Sequence, residues 1–374
     1  MALTKQHIID LAPSVGSSLN PRNSEGSFVS LRDGRILFAY SRYTGGAADD
    51  HDYAEIAAVY LSADGREVSQ PEILVRPDPV RHGDETEETN CMSVSLLRLG
   101  SGDIGLFYLV KHRGVWSEYV MRRSSDEGKT WSEAVLCSPK YKGYYVVNND
   151  RVLMTEKGRL IVPLANHPSV MLYRGMPDSI RGHSYAVFTA SDDDGKTWQQ
   201  ICEPTALTGG GKSGTGLQEP GITELAGGTL YAYFRTDTGR QYESVSIDGG
   251  ASWFAPQPSQ FTAPPSPLLI KKNPFSGKYA AVWNPIPLGY GRTQHQAGTG
   301  YWHGGRSPLV IAFSDDGVHF SAPAELENNP DAGFCYPAIH FTSERSAFLS
   351  YCAGGCEKTD VNCLVRTRIV KLEW

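Results

Sequence analysis

Five short phrases rich in acids and hydroxyls recur along the 374-residue chain. "SSDEGKTW" (Ser124–Trp131) and "SDDDGKTW" (Ser191–Trp198) follow Ser-x-Asp-x-Gly-x-Thr-Trp; "SIDGGASW" (Ser246–Trp253) varies it, and "FSDDGVHF" (Phe313–Phe320) and "LSADGREV" (Leu61–Val68) are worn copies. Aspartates of this kind can ligate a cation, but one phrase per repeat scatters them around a rim instead of gathering them. The residue types fit a turn better. Asp bonds backbone N–H groups, Gly supplies a positive φ, and Trp or Phe drops back between strands. The seven cysteines, at 91, 137, 202, 335, 352, 356 and 363, match no metal-ligand spacing and read as reduced, mostly buried thiols. No metal or cofactor is expected.

The elements that position any chemistry follow from the period. The third position of each phrase falls at 63, 126, 193, 248 and 315, so the spacings are 63, 67, 55 and 67 residues. Strand-rich sequence repeating every ~60 residues is the mark of a propeller with one four-stranded blade per repeat. Between the phrases run "GRILFAYSR", "GDIGLFYLV", "GRLIVPLAN", "GTLYAYFRT", "GKYAAVWN" and "RSAFLSYCA", most opening at a turn glycine after a shorter strand. No amphipathic helix of three turns is evident. The expected fold is therefore all-β: a single six-bladed β-propeller of four-stranded antiparallel blades over residues 1–374. The segment around Ile8–Leu11 should pair with the last blade, because an open ring would leave strand edges exposed.

With these repeats on six hairpins the chain resembles the sialidases (neuraminidases). "LQEPGITELAGGTLYAYFRTD" looks like the segment in which a glutamate opens one strand and an arginine closes the next, which implies roles for Glu219 and Arg235. "GGRSPLVIAFSDDG" is similar to the segment that supplies a further arginine, here Arg306, and "GFCYPAIHFTSERSAFLSYCAG" to the late segment carrying a tyrosine nucleophile, here Tyr336. The first hairpin, "GSFVSLRDGRILFAYSR", places Ser24 where the family carries its first arginine, with Arg22 two residues upstream. Such a shift keeps a side chain on the same strand face and moves it about 6–7 Å along. "AADDHDYAEIAAVYL" supplies Asp49, Asp50 and Asp52 where the family has an aspartic general acid; Asp50 is favoured, Asp52 next, with His51 between them. "YYVVNNDRVLM" adds two asparagines, Asp150 and Arg151, either a satisfied strand-end network or further contacts to the sugar. Asn90, His295 and His303 are further candidates for the mouth.

The resemblance implies a coherent mechanism. A sialic acid carries a carboxylate on its anomeric carbon, so a carboxylate nucleophile would approach against like charge. A tyrosine approaches neutral and needs a base, Glu219, to take its proton. Asp50 or Asp52, kept protonated by a secluded position, would protonate the leaving oxygen and then activate water. Arg235, Arg306, Arg22 and Arg151 would hold the substrate, guanidinium forks being suited to a carboxylate.

The bulk numbers exclude other classes. A net charge of −6 gives no basic footprint for nucleic acid. No run approaches the ~18 apolar residues of a membrane span. "MALTKQHIIDLAPS" lacks a signal-peptide core, so the expected location is cytoplasmic. The partner is a glycan or oligosaccharide. The competing readings are a hydrolase or lyase for another acidic sugar, such as a uronate, and a non-catalytic carbohydrate-binding propeller.

Overall fold

The computed structural model describes residues 3–12, 20–45, 49–78, 87–112, 116–168, 183–207, 213–285, 305–355 and 363–374. Within them the chain is almost wholly antiparallel sheet, with a single 3-10 turn at Ala226–Gly228. Three sheets are four-stranded. One runs Gln218–Glu224, Leu230–Arg235, Arg240–Ser246, Gln257–Thr262; the next Leu269–Lys272, Tyr279–Trp283, Leu309–Ser314, Ala324–Glu327. The third runs Gly333–Ser343, Ser346–Gly354, Arg366–Glu373 and takes Thr4–Leu11 as its outer strand, Leu11 opposite Thr367. The N-terminal segment thus pairs with the last strand, as expected, and itself forms the outer edge of that sheet.

A further sheet has five strands, built on Leu160–Asn166 and Tyr185–Ser191. The remaining eight strands form one sheet of two meanders, which begin at Arg22–Ser30 and Glu88–Arg98. A single parallel pair, Ala54 with Asn90, joins them. Hydrogen bonding therefore yields five sheets where the repeats suggested six separate ones, and that one pair is the reason. The all-β propeller class itself holds.

The repeated phrases do what their residue types dictate. Ser191 Oγ accepts from Gly195 N at 2.8 Å, and Asp193 accepts from Thr197 through both oxygens. In the two worn copies the accepting acids are Asp64 and Asp316, one residue beyond the third position, because these turns are a residue shorter. The tryptophans reach across to the preceding sheet: Trp253 stacks on Phe188 at 4.3 Å, and Trp198 meets Phe107 edge-on at 6.1 Å. The phrases close hairpins, and those ending at Trp198 and Trp253 also stitch two sheets together.

The first strand of each meander faces the axis. Arg22–Ser30 packs on both Glu88–Arg98 and Gly333–Ser343, while Gln218–Glu224 packs on Leu269–Lys272. At the centre sits the buried carboxylate of Asp150. It accepts from Ser27 Oγ at 2.9 Å, from Lys271 Nζ at 2.8 Å through both oxygens, and from Ile339 N at 3.3 Å. Its own N–H donates to Val94 O, and neighbouring Arg151 donates to Tyr233 Oη at 2.9 Å. Two consecutive residues thus tie the inner strands Arg22–Ser30, Glu88–Arg98, Leu269–Lys272 and Gly333–Ser343 together and reach Leu230–Arg235 through Tyr233.

The two kinds of tie differ in weight. Ser191→Ala strips the partner from a buried N–H and should cost about 1–3 kcal/mol. Asp150→Ala leaves Lys271 without its carboxylate and two further donors, Ser27 Oγ and Ile339 N, without their acceptor, and should cost about 3 kcal/mol or more. Urea midpoints of the two variants, measured side by side, check the order.

Candidate active site

All inner strands run the same way, so their N-terminal ends meet at one mouth of the channel. Glu25, Met92, Ser93, Val146, Asn148, Gln218, Glu219 and Tyr336 line a cavity of about 180 Å³ there, with Asp50, His51, Lys111, Tyr144 and His167 above them. The C-terminal ends surround a different cavity, with Asp150 and Arg151 between the two.

These strands do not simply alternate. Glu25, Ser93, Glu219 and Tyr336 each sit at a bulge with φ of 55°, 55°, 43° and 53°, and Asp150 has φ 56°. A bulge turns one side chain off the regular two-residue alternation, and a non-glycine residue in the left-handed region costs of order 1 kcal/mol. Here the re-aimed residues are the ones that face the axis. Gly26 and Gly221, following two of them, have no room for a Cβ, which would fall 2.0 Å from Phe38 and 2.2 Å from Tyr233.

On one wall, Tyr336 Oη donates to Glu219 Oε1 at 3.1 Å, and Arg235 Nη1 reaches the same oxygen at 2.5 Å. Burial pushes the Tyr336 phenol well above its ordinary range and the Glu219 charge adds to this, while Arg306 and Arg235 oppose it. Arg306 lies against the tyrosine ring, 5.3 Å from its centroid, and Nη1 points at Cys335 Sγ at 3.1 Å.

On the facing wall, Asp50 Oδ1 accepts from Arg22 Nη1 at 2.6 Å, and Lys111 Nζ donates to Asp50 O at 2.7 Å. Loss of water raises the Asp50 carboxyl, but Arg22 and Lys111 outweigh it and hold the group well below the ordinary carboxylate range. Its side chain is 52% exposed at the pocket. Asp50 is thus not secluded as expected, and its contacts with Arg22 and Lys111 favour the charged form. Glu25 is the opposite case. It is 3% exposed, accepts from Ser93 Oγ at 2.7 Å, and lies 3.6 Å from Arg22 Nη2. Burial pushes its carboxyl up to about 7, with the Asp50 charge adding and Arg22, Ser93 and Lys111 opposing. Burial, with Arg235 and Lys111, also holds His167 at about 4, so this imidazole is neutral near pH 7.

The other expected residues are placed as follows. Asp52 bonds Asp49 N at 3.2 Å and is not among the lining residues; Asn90 anchors its loop through Asp52 O at 2.7 Å. None of the four arginines lines the cavity directly. Arg22 stands behind Asp50, Arg235 behind Glu219 and Arg306 behind Tyr336, and Arg151 lines the other cavity. His295 and His303 lie outside the described residues. Sequence reasoning missed Glu25 and Lys111. Lys111 carried a signal, a charge closing the apolar run Ile104–Val110, and it is 4% exposed. Glu25 carried none, since its direction depends on the bulge.

The Asp50–Arg22 pair has a checkable consequence. A depressed carboxyl stabilises the fold above the ordinary carboxylate range, and that contribution is lost as pH falls toward the folded-state value. Asp50→Asn should therefore melt below wild type at pH 7, by on the order of 1 kcal/mol given its exposure, and the gap should narrow below about pH 4. Calorimetry at pH 7 and pH 3 measures this.

Comparison with known proteins agrees with the geometry. A family model described as a BNR repeat-like domain matches residues 34–348. The anhydrosialidase of Macrobdella decora is 32% identical over 174 residues, which make up 43% of this chain and 20% of that protein. This chain thus spans about a fifth of that relative's length. Among solved structures, a Dyadobacter fermentans protein of unknown function superposes with a TM-score of 0.70 at 16% identity, covering 99% of both chains. A leech intramolecular trans-sialidase superposes at 0.68 with 17% identity, over 99% of this chain and 70% of that one. With 315 residues matched, the chain belongs to the BNR repeat-like family.

Proposed function

We propose that the pocket is the active site of a retaining, exo-acting glycoside hydrolase that releases a terminal acidic sugar, a sialic acid in the first instance, from a glycan. The observation that carries this reading is the hydrogen bond from Tyr336 Oη to Glu219 at the pocket wall. A phenol raised by burial does not ionise alone, and a carboxylate within hydrogen-bond reach is the base that lets it attack. Tyrosine suits an acidic sugar because no charge faces the sugar's carboxylate during approach. Arg235 and Arg306 flank the pair. The Nε atoms of both are buried and make no hydrogen bond among the described residues, so each has donors beyond its present contacts. On binding, the sugar's carboxylate would compete with Glu219 for Arg235. A cavity of about 180 Å³ suits one terminal residue better than a chain interior.

In this reading the eight-stranded sheet is two blades, which makes one six-bladed propeller along the chain. Asp52 is a loop residue and Arg151 a channel residue. A second reading has its own support. Arg22, the expected first clamp residue, is bonded to Asp50, so the pocket could be shaped for a different acidic sugar, such as a uronate.

Hydrolysis of a fluorogenic sialic-acid glycoside, compared between wild type and Tyr336→Phe, tests the assignment. The variant should fold normally and lose at least about a hundredfold in kcat. The sugar should be released first with its anomeric configuration retained. Turnover of a uronide in place of the sialoside selects the second reading. Equal turnover by Tyr336→Phe overturns the nucleophile.

A further inference from the structure

We propose that Glu25, rather than Asp50, is the general acid that protonates the leaving oxygen in this pocket. The proposal rests on reading the pocket as a glycosidase site, and it changes which wall residue handles the proton.

The geometry separates the two carboxyl groups by role. Asp50 is engaged as an anion by Arg22 Nη1 at 2.6 Å, beneath a lysine that donates to its own carbonyl. A group held this way is a poor proton donor near neutrality. Glu25 is presented to the same cavity from the bulge of Arg22–Ser30, with φ 55° fixing the turn. Its backbone N faces Cys352 Sγ at 3.4 Å, and Ser93 holds one carboxyl oxygen at 2.7 Å. The groups facing it are Arg22, Asp50 and Lys111, the phenols of Tyr43 and Tyr336, and the Cys352 thiol. Burial and the Asp50 charge favour the protonated form. Two carboxyls whose surroundings push them apart are the arrangement in which one stays charged and the other carries the proton. Asp50 and Arg22 then act as positioning residues: Arg22 spans both carboxyls, and Asp50 keeps its charge from settling on Glu25.

The steps balance. As Tyr336 Oη bonds the anomeric carbon, its proton passes to Glu219; the bond to the leaving oxygen breaks, and that oxygen takes the Glu25 proton. Water then attacks the anomeric carbon and gives a proton to Glu25. The bond to Tyr336 breaks, and the phenol recovers its proton from Glu219. Activity should accordingly fall as pH rises through about 7, where Glu25 loses its proton in the free enzyme.

Two measurements on the intact chain decide the point. The first needs no turnover: carboxyl-carbon NMR of wild type, Glu25→Gln and Asp50→Asn. In wild type one carboxyl should titrate near 7; it should vanish in Glu25→Gln and survive at a lower pH in Asp50→Asn, where the charge that raises Glu25 is gone and Arg22 is freed to act on it. Absence of any carboxyl titrating above about 6, or a signal that vanishes only in Asp50→Asn, overturns the proposal. The second compares an aryl glycoside, whose leaving group needs no proton, with a sugar-linked glycoside, whose leaving group does. Glu25→Gln should lose about 10²–10⁴-fold on the sugar-linked substrate and within about tenfold on the aryl one, with the alkaline limb gone. A purely structural role would depress both alike. Equal losses on both substrates, or leaving-group dependence confined to Asp50→Asn, overturn the assignment to Glu25 while leaving the glycosidase reading intact. Failure of wild type to cleave any acidic glycoside overturns the glycosidase reading and this proposal with it.

Discussion

The buried carboxylate of Asp150 is the contact on which the rest of the structure depends. A propeller buries its apolar surface between neighbouring sheets and leaves the axis lined with polar strand edges, whose donors and acceptors must find partners. Asp150 meets that need for several strands at once, gathering a hydroxyl, an ammonium and a backbone N–H from three other sheets. Arg151 extends the tie to Tyr233. The channel is thereby closed in the middle, and the cavity above it becomes a pocket with a floor. Without that tie the inner strands would be spaced by apolar packing between the sheets alone, and the hydrogen bond spanning residues 219 and 336 would lose one of its supports.

Above the floor, backbone strain and charge work together. Bulges at Glu25, Ser93, Glu219 and Tyr336 aim side chains into the pocket that regular alternation would send elsewhere. The pocket then sorts its ionisable groups by what stands behind each. Arg22 holds the Asp50 carboxyl down, burial pushes the Glu25 carboxyl up to about 7, and burial with the Glu219 charge pushes the Tyr336 phenol up. The guanidinium groups lie one layer back from the cavity, where they set the state of the groups that line it.

Much of the fold was legible because it repeats. Asp126, Asp193 and Asp248 mark hairpins by composition alone, and the apolar strands between them carry their own pattern. The pairing of Ala54 with Asn90 was not legible, since a single parallel contact leaves no periodic trace. At the site, the resemblance brought together Tyr336, Glu219 and Arg235, and the contact from Tyr336 to Glu219 spans 117 residues of sequence. Arg151 was misplaced: a polar cluster at a strand start looks the same whether it faces a sugar or plugs a channel. Glu25 was hidden for a sharper reason: its direction is set by the bulge between Ser24 and Ser27, and a register shift of that kind leaves no mark in the residue pattern.

The account stands or falls on a covalent bond between the sugar and Tyr336. The direct measurement is mass spectrometry of the protein after incubation with a fluorinated acidic-sugar fluoride, whose good leaving group allows the first step and whose ring fluorine slows the second. The account predicts one added sugar per chain, mapped to the peptide containing Tyr336. A label on a carboxylate, or cleavage of the reagent with no protein adduct at any time, would contradict it.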